Sequence, residues 1–175
     1  MVTAVVLIGA SISVIQLRSS LAIMDADRAI DLVSGQLRYA KQIAVDQRRN
    51  VLVEFLNGTE VRITRQDGGV DATVMAEVTL PDGFSFSMPD GISDTPDAYG
   101  NQDASGDPAP VFFNFNTSGT FQPDGSFVAG GTVATSGTVF TMGANSGSAR
   151  AVTMTGASGR TKVYWLRSTT WVERN

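Results

Sequence analysis

The chain holds no cysteine and no histidine. The first absence excludes a disulfide framework and thiolate chemistry. The second removes the side chain that most often moves protons near neutral pH, and together they remove the commonest zinc ligands. No P-loop, dinucleotide fingerprint or triad-like set is present. An enzyme of this sequence would have to work with Asp, Glu, Lys, Ser or Tyr alone. The expectation is a protein that is not an enzyme and needs neither metal nor cofactor.

Charge is missing or one-sided over long stretches. Met1 to Ile15 carries no ionisable side chain, and the first charge is Arg18. Residues 66–149 hold ten acids and no base, whereas residues 1–65 net +2 and residues 150–175 net +4, so the total of −4 conceals a strong segregation. Asymmetry of this kind bears on partners more than on fold. Solvated loops are its simplest account, and opposite patches that meet on different molecules are the alternative.

Helix breakers are scarce at the start: residues 1–50 contain no proline, and their only glycines are Gly9 and Gly35. From Ile23, apolar residues recur at Ala26, Ile30, Val33, Leu37, Ala40 and Ala44 in steps of three and four, the stripe of an amphipathic helix. Asp25, Asp27, Arg28, Asp31, Arg38, Lys41 and Asp46 occupy the other positions. The pattern predicts one continuous helix of about fifty residues, apolar all round over 1–20 and striped over 21–50. At about 1.5 Å per residue, Val2 to Leu17 spans roughly 24 Å, slightly less than the bilayer core of about 30 Å. A secretion signal would carry Lys or Arg ahead of its apolar core, and here Val2 and Thr3 follow Met1 directly.

Beyond Asn50 the pattern becomes that of strands. "VLVEFLNGTEVRITRQDG" has two β-rich runs joined through Asn57-Gly58, a dipeptide suited to a tight hairpin. "AEVTLPDGFSFSM" predicts another pair of short runs about Asp82-Gly83. Residues 89–110, rich in Pro, Gly, Asp and Ser, read as a long surface loop. "VFFNFNTSGTFQPDGSFVAGG", "GTVFTMG", "ARAVTMTGASG" and "RTKVYWLRSTTWVERN" read as short strands between turns. The expected fold is α+β: a long N-terminal helix whose C-terminal half packs on an antiparallel β-rich head over 51–175.

Three segments carry a likeness. "MVTAVVLIGA", "LRYAKQIAVDQRRNVLVEF", and the pair "FFNFNTSGTFQPDG" and "GRTKVYW" together resemble the type IV pilin-like proteins and, within them, the minor pseudopilin family called GspH/FimT. The Gly/Phe processing site and the glutamate after it are not in this sequence. On the resemblance, Met1 is expected to lie inside the mature helix, a few residues past that glutamate. The proline that often kinks the helix is absent, with Ile15 and Gln16 in that neighbourhood, and so is the C-terminal cysteine pair of many pilins.

The resemblance implies a structural subunit of a type IV pilus-like filament or a type II secretion pseudopilus. Its partners would be further copies of itself or related pilins. Through Val2, Val5, Val6, Ile8, Gly9, Ile12 and Ile15 the helix would sit in the inner membrane before assembly and pack on neighbouring helices in the filament afterwards. Bilayer and filament core are both dry, so one uncharged surface serves both. Small residues at Gly9, Ala10, Ser11 and Ser13 would let backbones approach closely. The subunit would end at the cell surface or outside it, or in the periplasm as a pseudopilus.

Within the head, Ile30, Val33, Leu37, Ala40 and Ala44 are expected to pack on the sheet. Arg150, Arg160, Lys162, Arg167 and Arg174 lie near Tyr164, Trp165 and Trp171. Bases among aromatics suit nucleic acid, and the alternative function is a DNA-binding minor pilin for DNA uptake. The preferred reading has these bases meeting a neighbour's acidic loops. Asp90, Asp94, Asp97, Asp103 and Asp107 also offer oxygens to calcium, in a spacing that fits no EF-hand.

Overall fold

The computed structural model describes residues 2–68 and 72–174, with side chains described from Ile23 onward. It begins with one helix, α1 (Val2–Gln47). The helix stops where Arg48 turns left-handed at φ 51° and the Arg49 N–H donates to the Ala44 carbonyl at 3.2 Å. That six-residue closure commonly uses glycine. Here an arginine takes the conformation.

Among the described residues ten strands follow: β1 (Asn50–Leu56), β2 (Glu60–Gln66), β3 (Ala72–Thr79), β4 (Val111–Phe112), β5 (Ser118–Phe121), β6 (Phe127–Val128), β7 (Gly137–Thr141), β8 (Arg150–Thr155), β9 (Arg160–Arg167) and β10 (Thr170–Glu173). They form two antiparallel five-stranded sheets, ordered β3-β2-β1-β5-β6 and β10-β9-β8-β7-β4. The β1–β2 hairpin closes through Asn57 (φ 52°) and Gly58 (φ 71°), with Leu56 opposite Glu60. Positive φ at both positions is what matches such a turn to the twist of its strands.

The helix stripe lies across both sheets. Ala26, Ile30, Val33, Leu37, Ala40 and Ala44 are buried, and from Ile30 onward they share one core with Val51, Val53 and Ile63 of the first sheet and Val139, Val152 and Met154 of the second. Phe127 of the first sheet packs on both Phe121 and Phe113, the residue that follows β4 of the second sheet, with ring centroids 4.9 Å apart in each pair. Ile23 is the exception to the stripe. It is 53% exposed, so contact with the head begins one turn later than the periodicity suggests.

Two expectations are corrected. The run after Asp82-Gly83 is not the second arm of a hairpin: Ser85 makes a lone bridge to Met142, and the Phe86 N–H donates to the Gly58 carbonyl. The chain leaves the first sheet there and crosses to the second. Residues 89–110 are also more than a surface loop. Thr95 is buried, Ile92 packs on the second sheet, and the Trp171 indole N–H donates to the Ser93 carbonyl at 2.9 Å. The second sheet is therefore covered on both faces. The helix lies on the side of Val152 and Val163, and this segment lies on the side of Phe140, Ala151, Tyr164 and Leu166.

Candidate functional site

Four charged residues of α1 each follow a buried stripe residue by one position: Asp27 after Ala26, Asp31 after Ile30, Arg38 after Leu37 and Lys41 after Ala40. A shift of one residue turns a helix by about 100°, so all four flank the stripe on the same side. They meet the C-terminal strands along a seam whose charge changes sign from acid to base.

At the N-terminal end of the seam, Arg150 Nε donates to Asp27 Oδ1 at 2.7 Å and its Nη1 donates to the carbonyls of Gly147 and Ala149. The Arg150 side chain is 5% exposed, so this guanidinium depends on its partners. One turn on, Arg174 Nη1 reaches Asp31 Oδ1 at 2.6 Å, but both side chains are open to solvent and the pair adds little. Arg150, Arg167 and Arg174 all lie within 6.0 Å of the Trp165 ring centre, where the electron-rich face of the indole favours cations.

The C-terminal end of the seam differs. Arg38 Nε donates to Thr161 Oγ1 at 3.1 Å, and Lys41 Nζ donates to the Ser158 carbonyl at 2.7 Å. Neither base meets a carboxylate among the described residues. Arg160 stands beside them, exposed.

On the other face of the second sheet, Asp97 fastens the covering segment. Its Oδ2 accepts hydrogen bonds from Thr153 Oγ1 at 2.6 Å and the Tyr164 hydroxyl at 2.9 Å, and its Oδ1 accepts one from Lys162 Nζ at 2.9 Å. Burial works to raise the Asp97 carboxyl, but the bonds from Thr153, Lys162 and Tyr164 outweigh it and hold the group below its ordinary value. The bonds to Asp97 and Tyr164 raise Lys162 in turn, while burial leads in raising Tyr164.

The five tail bases thus separate. Arg150, Lys162 and Arg174 pair with acids of their own chain, whereas Arg160 and Arg167 are exposed with no ion pair among the described residues. The acids divide likewise. Asp97 is engaged as described, and Asp94 accepts from the backbone N–H groups of Thr95 and Gly100. Among the described residues no cluster of three metal-ligating side chains is found, so the calcium reading gains nothing from the geometry. Sequence reasoning missed Arg38 and Lys41 as partners of Arg160, and Asp27 and Asp31 as partners of the tail. Their shared offset from the stripe was the available signal. Val2, Val5, Val6, Ile8, Gly9, Ile12 and Ile15 lie outside the described side chains. Among the described residues no helix is long and apolar enough to cross a membrane.

No protein-family model matches the sequence, and no curated protein matches it. One long helix laid across antiparallel sheets is the type IV pilin-like fold, and this chain has it. Among solved structures it is similar to the type IV minor pilin FimU of Pseudomonas aeruginosa, with a TM-score of 0.53, 17% identity, and 83% of this chain matched to 91% of that chain. A second crystal form of FimU matches with a TM-score of 0.53 and 16% identity, over 83% of this chain and 96% of that one. At such identity the likeness is one of fold.

Proposed function

We propose that the chain is a structural subunit of a type IV pilus-like filament, anchored in the inner membrane before assembly and packed among other pilins afterwards. The observation that supports this best is the division of α1. Its buried side chains among those described run from Ala26 to Ala44, yet the helix begins at Val2, in a stretch without charge up to Arg18. The 24 residues Val2–Asp25 extend the helix by roughly 36 Å. Its uncharged part, Val2–Leu17, is a rod of roughly 24 Å that is costly in water and suited to a dry environment. The fold shared with a minor pilin and the resemblance to the GspH/FimT family support the same reading. In it, Val2, Val5, Val6, Ile8, Gly9, Ile12 and Ile15 carry cohesion, and the head is a rigid cap whose charges set register.

The DNA-uptake alternative has less support. Trp171 is buried and bonded to Ser93, and Trp165 is partly buried beneath three arginines, so neither indole offers an open stacking platform. The test is immunogold labelling of the full chain in filament preparations from cells that produce it. Gold on filaments is expected. Label confined to other fractions would overturn the reading.

A further inference from the structure

The C-terminal end of the seam holds a groove of about 340 Å³ lined by Arg38, Lys41, Gln42, Gly159, Arg160 and Thr161. Three cations line it and no carboxylate does. Asp31 and Glu173 border Arg38 and Arg160 only in the adjoining groove and pair with Arg174 and Lys162 instead, so the three bases keep no ion pair among the described residues and a bound anionic group would relieve their repulsion. The groove is built from rigid parts. Lys41 is held by the Ser158 carbonyl and Arg38 by Thr161, both in or beside the β8–β9 turn, where Gly159 takes φ 58° and its N–H returns to Thr155. Little ordering entropy then remains to be lost on binding.

We propose that this groove receives the Asp103–Asp107 turn of a second copy of the chain. The proposal rests on the filament reading and names the contact that sets head-to-head register within it. Charge complementarity selects the occupant: residues 66–149 hold ten acids and no base. Within that stretch Asp67, Glu77 and Asp97 are already paired with Arg65, Arg62 and Lys162 of their own chain. The turn is preformed and exposed. Asp103 Oδ1 accepts from the Ser105 and Asp107 N–H groups, and the Asp103 N–H donates to the Asp107 carbonyl at 2.9 Å. The Asp107 carboxylate is left exposed beside it. No aromatic ring lines the groove, so a nucleic-acid strand would find charge there but no stacking surface.

The absence of cysteine makes the test clean. Full-length Arg160→Cys and Asp107→Cys chains are produced together and oxidised in their native filaments. Both positions are exposed, so the fold should be kept, and circular dichroism checks that. The mixed 160–107 dimer is expected to exceed either homodimer by about tenfold, and an added Lys41→Glu should lower it by a similar factor. Filaments without the mixed dimer would overturn this inference and leave the filament reading standing. The mixed dimer formed in solution by a chain that makes no filament would support the groove while the filament reading fails. Loss of DNA retention in Arg160→Glu, with no mixed dimer in the cysteine pair, would overturn the proposal and assign the groove to nucleic acid.

Discussion

Replacing Asp97 by Ala tests the reasoning about the second sheet most sharply. The side chain is 15% exposed and accepts three hydrogen bonds, two from the nearly buried Thr153 and Tyr164 and one from the charged Lys162. Its removal leaves two buried hydroxyls without an acceptor, at about 1–2 kcal/mol each. Lys162 is 33% exposed, so water compensates much of its lost partner and the ionic part is held to about 1 kcal/mol. The expected cost is about 3–5 kcal/mol. Asp97→Asn keeps an acceptor and should cost about half as much. The assay is urea unfolding of the full chain in detergent followed by tryptophan fluorescence, since Trp171 is bonded to Ser93 within the same covering segment. The Asp97 carboxyl is lowered in the folded state, so its contribution is complete above the usual carboxylate range and is lost as pH falls through and below that range. The wild-type advantage over Asp97→Ala should therefore shrink in acid. A cost below about 1 kcal/mol at neutral pH, or an advantage that grows in acid, would refute the argument.

Other positions give independent tests. Leu37 is buried in the core shared by both sheets, so Leu37→Ala should cost about 2–5 kcal/mol by denaturation, and under about 0.5 kcal/mol would place the stripe elsewhere. A Cβ at Gly137 would overlap the Phe112 carbonyl and the Phe113 ring, so Gly137→Ala should destabilise by about 2 kcal/mol or more and lower the melting temperature. Asp27→Ala leaves the Arg150 guanidinium buried beside two carbonyls and should cost about 2–4 kcal/mol, whereas Asp31→Ala, at an exposed pair, should cost under about 1 kcal/mol. Equal effects at the two aspartates would contradict the burial argument.

The helix and the α+β plan were legible because each rests on a local pattern. Steps of three and four from Ala26 to Ala44 mark a helix face, and Asn57-Gly58 between β-rich runs marks a hairpin. What escaped depends on pairing across long sequence separations. Ser85 bridges Met142, and Asp97 reaches Thr153 and Tyr164, contacts that no window of local composition contains. Residues 89–110 have the composition of a loop and yet form a layer, because a few anchors in a Pro- and Gly-rich segment suffice to hold it on a sheet. The tail bases stood out in the sequence as one group. Their division into paired and unpaired members follows from Asp27, Asp31 and Asp97, whose side of the helix or sheet only the fold reveals.

The central claim is that the uncharged start of α1 is the element of assembly. Its most direct test is electron microscopy of filaments from cells producing the full chain with Val5→Asp, beside the unaltered chain at equal level. A carboxylate in a dry helix bundle costs several kcal/mol, so Val5→Asp should yield no filaments that contain the chain, while circular dichroism shows the head still folded. Filaments of normal number carrying the Val5→Asp chain would contradict the account.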